Sequence, residues 1–279
     1  MTTICICGAG TMGSGIAQVA ASAGFKTILY DLSGEMVEKA GTKIHNDLQK
    51  LVDKNKISAE KKEDTLRLLT LSSDIDHCRA DLVIEAIIEK PEAKVSLFNR
   101  LAAINPEQTI FASNTSSLSI SSIASEVLHP QRVAGLHFFN PAPIMKLVEV
   151  VKGRQTSEAV VRTLVELTRQ LGKTPVVCTD SPGFIVNRVA RPYYIESLRL
   201  AEEGIADFET IDRLLESKGF KMGPFKLMDL IGNDVNYAVS CSVYQQLNNP
   251  ERLRPSPIQK DKVDKGELGK KSGKGYYSY

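Results

Sequence analysis

Among 279 residues there is no apolar run close to the roughly 20 that a membrane-spanning helix requires, so no segment is expected to cross a membrane. Excess charge is also missing: 35 Lys and Arg stand against 33 Asp and Glu, a net +2. Nothing global therefore points to nucleic acid or an anionic membrane surface as a partner. The N-terminus runs straight into "TTICICGAG" without a basic region and cleavage site, so the expectation is no signal peptide and a cytoplasmic location. Cysteine is sparse and scattered, at Cys5, Cys7, Cys78, Cys178 and Cys241. An odd number without framework spacing argues against disulfides. The Cys5–Cys7 pair has no neighbouring His or Cys in the sequence, so five reduced thiols and no metal site are expected. Internal repeats and low-complexity segments are absent as well.

What is present is a regular alternation of short apolar runs and helical patterns. "TICIC", "KTILYD", "ADLVIEAI", "TIFASN", "QRVAGLHFF", "MKLVEVV" and "KTPVVCT" read as strands. Helical spacing occupies about 11–23, 33–69 with a polar break at "DKNKIS", the segment from Pro91, and about 157–171. Such alternation predicts an α/β, Rossmann-type, mostly parallel sheet with helices on both faces. At "DSPGF" the strands stop. The expected organisation is a dinucleotide-binding domain over 1–183 and an all-helical domain over 184–279. The second is read as three helical segments, with Asp207 as a cap and a bend near Pro192. A helical unit of that size, rich in Ile, Leu, Val, Phe and Tyr, is expected to cover an apolar face with a second copy, giving a homodimer.

The first motif is "GAGTMG", which places Gly8, Gly10 and Gly13 in the G-x-G-x-x-G spacing. The hexapeptide alone is weak. Here it leaves an apolar strand and opens a helix at Thr11 and Met12, whose first N–H groups would face a pyrophosphate. Gly8 suits the tight turn, Gly10 the close approach of phosphate, and Gly13 the helix–strand contact. Asp31 ends the second strand, where a carboxylate accepts from ribose hydroxyls and repels a 2′-phosphate. No arginine follows it, so NAD is expected over NADP.

The second motif is "HFFNPAPIMKLVEVV", in which His137 and Glu149 each interrupt an apolar run. A lone His–Glu pair is as often a satisfied core pair as a working one. In a chain that binds a hydride carrier, an imidazole suits the removal of a hydroxyl proton, because its unperturbed pKa is about 6.5. A glutamate on its far nitrogen fixes the tautomer and stabilises the imidazolium. "SNTSSLSI" adds hydroxyls just after a strand, at the edge where such sheets bind ligands. His45, His77 and His129 lack acidic partners at comparable spacing and are read as surface or loop residues.

Taken together, "GAGTMGSGIAQ", "EAIIE", "SNTSSLSI", "HFFNPAPIMKLVEVV", "DSPGFIVNR", "MGPFKLMDLIG" and "GKKSGKGYY" resemble the 3-hydroxyacyl-CoA dehydrogenases, above all the bacterial 3-hydroxybutyryl-CoA enzymes. The resemblance runs from residue 4 to the last residue. It implies an NAD-dependent interconversion of (3S)-3-hydroxyacyl-CoA and 3-ketoacyl-CoA, with short acyl chains. It implies His137 as acid/base, Glu149 as its orienting carboxylate, and Ser116 and Asn187 as hydrogen-bond partners of the substrate oxygen. Glu89 and Lys94 match positions at the nicotinamide end, with Asn114, Asn140 and Lys271 as weaker matches. Lys50 and Lys54, one turn apart, and Lys56 are candidates for the phosphates of coenzyme A, against the plainer reading of a solvated face. The helical domain is implied as the dimer interface. One departure stands out: Asn233 and Asp234 in "LIGNDVN" occur where relatives are more apolar first. Sugar-acid dehydrogenases of the same fold differ just after the histidine, and a non-catalytic nucleotide-binding protein would not retain the four catalytic matches. The length leaves no room for a hydratase or thiolase domain, so a single activity is expected.

Overall fold

The computed structural model describes residues 2–279. The chain divides into two compact units, Met1–Asp180 and Ser181–Tyr279.

The first unit is built on β1 (Thr3–Cys7), β2 (Lys26–Tyr30), β3 (Leu69–Ser72), β4 (Leu82–Glu85), β5 (Ile110–Ser113), β6 (Val133–Phe138), β7 (Leu147–Lys152) and β8 (Thr174–Thr179). They form one sheet in the order β3-β2-β1-β4-β5-β6-β7-β8. Helices α1 (Thr11–Ser22), α2 (Gly34–Asp53), α3 (Ala59–Arg67), α4 (Pro91–Ile104), α5 (Ile120–Ser125) and α6 (Glu158–Gln170) connect the strands. Two apolar clusters account for the two covered faces. One joins Ile4, Ile6, Ile16, Leu29 and Ile84 to Val37, Ile44 and Leu48 of α2. The other joins Cys5, Cys7 and Val83 to Leu97, Phe98 and Leu101 of α4. Alternate residues of β1 thus enter opposite cores, as the two-residue period of a strand dictates.

Every pairing is parallel except β6 with β7. A parallel return needs a crossover of a dozen or more residues. Residues 139–146 contain no helix or strand, so the chain turns straight back. The antiparallel register sets His137 directly opposite Glu149.

Two sequence expectations change, and one helix is added. The helical pattern assigned to 33–69 ends at Arg67, and Leu69 begins β3. This edge strand buries Ser72 and exposes its middle, so it offers no apolar run to read. Helix α5 is too short to show a period and is set by its cap, Ser119, which accepts from Ser122 N at 3.1 Å. The Cys5–Cys7 pair is not isolated from other thiols: the turn before β4 brings Cys78 in, and the three sulfurs lie within 4.8 Å of one another. All three are fully buried in the apolar cluster around Val83, Phe98 and Phe111.

The second unit contains α7 (Val186–Glu202), α8 (Phe208–Ser217), α9 (Pro224–Ile231), α10 (Asn233–Gln246) and α11 (Pro257–Asp264). Asp207 caps α8, accepting from Thr210 N at 2.7 Å. The expected third helix is two, broken at Gly232, whose φ of +104° lies outside the range of a helix. Pro192 lies inside α7. Tyr194, Leu198, Ile211, Phe225 and Met228 form the core. Two buried carboxylates tie it together. Asp212 accepts from Phe225 N and the Tyr277 hydroxyl, and Asp229 accepts from Tyr276 N and Tyr277 N, which fastens the C-terminal segment.

Candidate active site

The dinucleotide loop has the geometry that its glycines predict. Gly8 adopts φ +107°, and a Cβ there would sit 2.5 Å from Ala86 O. At Gly13 a Cβ would fall 1.6 Å from Gly8 O, so only glycine lets α1 pack this closely. A Cβ at Gly10 would meet nothing within 4 Å. That open face lies at the N-terminus of α1, which has no side-chain cap and no acidic residue in its first turn. Its N–H groups and partial positive charge are therefore available to a phosphate. Thr11 is exposed and Met12 half-buried at the same end. Asp31 reaches the loop: Oδ2 accepts from Ala9 N at 2.8 Å and Oδ1 from Ser33 N at 3.0 Å. These residues fit a dinucleotide whose pyrophosphate meets the helix and whose ribose meets Asp31.

His137 and Glu149 are brought together by the β6–β7 register. Nδ1 lies 2.7 Å from Glu149 Oε2, with the imidazole side chain 7% exposed and the carboxylate fully buried. The Phe139 ring is 4.5 Å from the imidazole, centroid to centroid. With Glu149 ionised, the proton of this hydrogen bond sits on Nδ1, which fixes the tautomer of the ring. Asn114 Oδ1 accepts from Phe138 N at 2.8 Å, so Asn114 pins the end of β6 next to His137.

A second charged group lies at the ends of β4 and β5. Lys94, 1% exposed, sits between Glu85 at 2.6 Å and Glu89 at 3.0 Å. Glu85 also accepts from Ser113 Oγ at 2.6 Å and Ile87 N at 2.7 Å. Burial pushes the Glu85 carboxyl up, against the pull of Lys94 and these hydrogen bonds. Burial pushes Glu89 up too, but there Lys94 and the Thr115 hydroxyl outweigh it, and the carboxyl stays below its usual range. Glu89 accepts from Ser116 N at 3.2 Å and Ser117 Oγ at 3.2 Å, and so ties the "SNTSS" loop to the β4 loop. Ser116 is half-buried. Of the two expected cofactor neighbours, Lys94 is buried and Glu89, its more exposed partner, lies nearer the surface. Glu85 is not among the residues singled out in the sequence, although a charge in the apolar run "LVIEAI" signals a buried, paired group.

The remaining candidates are dispersed. Asn140 is exposed and precedes Pro141. Lys50, Lys54 and Lys56 are exposed at the end of α2 and in the turn beyond, and Lys50 pairs with Asp47 at 3.1 Å. His45 is exposed, while His77 and His129, also at the surface, have Asp74 and Glu107 at 3.9 and 3.7 Å. The second unit carries Asn187, half-buried in the first turn of α7, and Lys271, whose amine lies 2.7 Å from the Asp234 carboxylate.

Comparison with known proteins agrees with this geometry. Residues 3–181 match the family model described as 3-hydroxyacyl-CoA dehydrogenase, NAD binding domain, and residues 183–279 match that family's C-terminal domain. The chain is 52% identical over 99% of its length to the 3-hydroxyadipyl-CoA dehydrogenase of Escherichia coli, of which it spans 59%. It is 42% identical to the mitochondrial hydroxyacyl-coenzyme A dehydrogenase of Sus scrofa, over 99% of this chain and 90% of that one. In structure it is similar to the (S)-3-hydroxybutyryl-CoA dehydrogenase of Ralstonia eutropha, with a TM-score of 0.96 at 37% identity over 100% and 99% of the two chains. The first unit is an NAD-binding Rossmann domain, and the chain belongs to the 3-hydroxyacyl-CoA dehydrogenase family.

Proposed function

We propose that the chain interconverts (3S)-3-hydroxyacyl-CoA and 3-ketoacyl-CoA with NAD, acting on short acyl chains. The observation that carries this reading is the buried His137–Glu149 pair in an NAD-binding unit. Bound NAD would supply the hydride acceptor. His137 Nε2 takes the proton of the 3-hydroxyl in oxidation and returns it in reduction. Glu149 holds the tautomer and stabilises the imidazolium, strongly so because the pair is shielded from water. Ser116 and Asn187 donate to the substrate oxygen. Asp31 selects NAD at the ribose, while Glu89, positioned by Lys94, meets the nicotinamide end together with Asn140 and Lys271. Asn114 contributes by fixing β6.

Lys50, Lys54 and Lys56 are assigned to the coenzyme A phosphates. The relatives' names support short chains, since a hydroxyadipyl group has six carbons and a hydroxybutyryl group four. A homodimer through the second unit is proposed on its exposed apolar side chains, among them Val189, Leu230, Ile231 and Val235. A cytoplasmic location is proposed with it; no helix among the described residues is long and apolar enough to cross a membrane. The test is steady-state reduction of a 3-ketoacyl-CoA series, followed by loss of NADH absorbance. Turnover of acetoacetyl-CoA is expected, and no turnover at any chain length refutes the reading. Sedimentation as a monomer at micromolar concentration refutes the dimer.

A further inference from the structure

Cys5, Cys7 and Cys78 are fully buried, and their sulfurs lie within 4.8 Å of one another. A buried thiol can be a plain core residue, so the arrangement of the sulfurs decides what the cluster can do. Cys5 and Cys7 occupy same-face positions of β1, where neighbouring side chains leave a strand about 6.6 Å apart. Their sulfurs are only 3.8 Å apart. The two side chains therefore lean toward each other, and Cys78, from the turn before β4, closes the triangle. Two ligands that each lie about 2.3 Å from one ion, at trigonal or tetrahedral angles, are about 3.8–4.0 Å apart. The β1 pair already has that spacing. A small turn about one Cα–Cβ bond brings the third sulfur to it, since no pair in the group is more widely separated than 4.8 Å. The triangle itself is thus the space that an ion needs.

We propose that Cys5, Cys7 and Cys78 form a three-coordinate site for a soft monovalent cation, Cu(I). Thiolate sulfur selects soft ions. Among the described residues no histidine or carboxylate belongs to the group, so it offers three sulfurs and no fourth side-chain ligand. Structural zinc is almost always four-coordinate, whereas the filled d shell of Cu(I) accepts a trigonal set of sulfurs. The surroundings, among them Val83, Leu97, Phe98 and Phe111, are apolar. Such a shell limits solvent access and so protects the reduced ion. Each thiol that binds gives its proton to solvent, and no other reactant is needed. There is also a way in. Cys78 is the ligand that does not belong to β1, and Asp76, His77 and Arg79 beside it are exposed. The expectation of no metal site rested on Cys5 and Cys7 standing alone, and Cys78 removes that ground. The proposal does not depend on the dehydrogenase reading.

The experiment titrates the full chain, reduced and free of oxygen, with Cu(I) held by a chromophoric chelator. The wild type is expected to withdraw one equivalent, and X-ray absorption of the loaded protein should show three sulfurs at about 2.3 Å. Cys178→Ser combined with Cys241→Ser should retain that equivalent, because neither residue belongs to the group. Cys78→Ser should weaken binding by at least the ~10–100-fold that even an outer partner of a metal is worth. If Cys78→Ser does not fold, Cys5→Ala suits the apolar surroundings and should weaken binding as much. No equivalent withdrawn by the wild type overturns the proposal, as does one held just as tightly by Cys78→Ser or Cys5→Ala. Loss of the equivalent in the Cys178/Cys241 variant overturns it too, since the ion would then sit on the other thiols. A linear spectrum with two sulfurs, or displacement of Cu(I) by Zn(II) with a light fourth ligand, overturns the three-coordinate assignment. None of these outcomes touches the dehydrogenase reading, because neither NADH nor an acyl-CoA enters the measurement.

Discussion

Lys94 and Arg191 are buried to nearly the same degree, and their surroundings differ completely. Lys94 has two carboxylates within 3.0 Å, supplied by its own unit. Arg191 has carbonyls, a hydroxyl and an aromatic face. A buried charge must be answered by something, because desolvation costs several kcal/mol per ion. Where the chain supplies the partner, the charge is a fixed part of the architecture. Where it does not, neutral acceptors and an aromatic face take up the charge, as around Arg191. The His137–Glu149 pair belongs with Lys94, because the chain supplies both partners on facing strands.

The largest expected effect breaks that last pair. His137→Ala should lower kcat by about 10²–10⁴-fold, the usual contribution of positioned proton transfer. NADH binding, proposed for the glycine loop and Asp31, should persist. Glu149→Gln should also lower kcat steeply, since an amide cannot stabilise imidazolium. If the two act as one unit, the double variant loses far less than the product of the single losses. Multiplicative losses in that cycle would show the pair to be uncoupled, and a His137→Ala enzyme within a few-fold of wild type would move the proton elsewhere.

Next in size is the internal pair of Lys94. Glu85→Ala leaves a buried ammonium with a single, half-exposed partner, and should cost about 3–5 kcal/mol of stability, the range for breaking a buried ion pair. Urea unfolding measures it. The second partner has a pH signature. Glu89 is held below its usual range, so its contribution is present above about pH 4.5 and is lost as pH falls through the folded value. The wild-type midpoint should therefore decline on the acid side, and Glu89→Gln should flatten that decline. An equal slope in both would mean that Glu89 does not stabilise Lys94.

The same contrast explains what could be read from the sequence. Gly8, Gly13, Asp31, His137 and Glu149 were legible because each violates a local expectation in a recognisable pattern: glycines at fixed offsets after a strand, or charges inside apolar runs. The strands with buried, continuous apolar residues were legible for the same reason. Strand β3 was not, since an exposed edge has no hydrophobic signature, nor was α5, which has six residues. The Cys78 contact depends on a turn closing against β1, a long-range event that spacing does not encode. Glu85 and Arg191 sit in plain view in "LVIEAI" and "VARPYY", but whether a charge is buried, and with what partner, is decided by neighbours far away in sequence.

Asp31 offers a middle-sized test. Its carboxylate is already engaged by Ala9 N and Ser33 N, so it is fixed before any ribose arrives. Asp31→Ser removes an acceptor and the charge that repels a 2′-phosphate. The NADH preference, measured as a ratio of kcat/KM for NADH and NADPH, should fall by about tenfold or more, a loss of roughly 1.4 kcal/mol of discrimination. An unchanged ratio would place Asp31 away from the ribose.

The smallest effect is expected from the exposed cations, the third kind of charge in the molecule. Lys50 is paired with Asp47, which it shares with Lys43, while Lys54 and Lys56 make no ion pair among the described residues. Pairs this exposed contribute about 0–1 kcal/mol at most, so Lys50→Ala with Lys54→Ala should leave the melting temperature nearly unchanged. Their proposed work is on the coenzyme A phosphates, and that contact exists equally in ground and transition states. It should therefore appear in KM and not in kcat. Salt screens such pairs over about 10 Å at 0.1 M, so the wild-type KM should rise with salt and the double variant should start higher and vary less. Within the pair, Lys54→Ala should exceed Lys50→Ala, because Asp47 already draws on the charge of Lys50 and a phosphate must compete with it. A double variant with unaltered KM at low salt would return these lysines to a solvated face, the fate of most charges that lie neither in a core nor against a ligand.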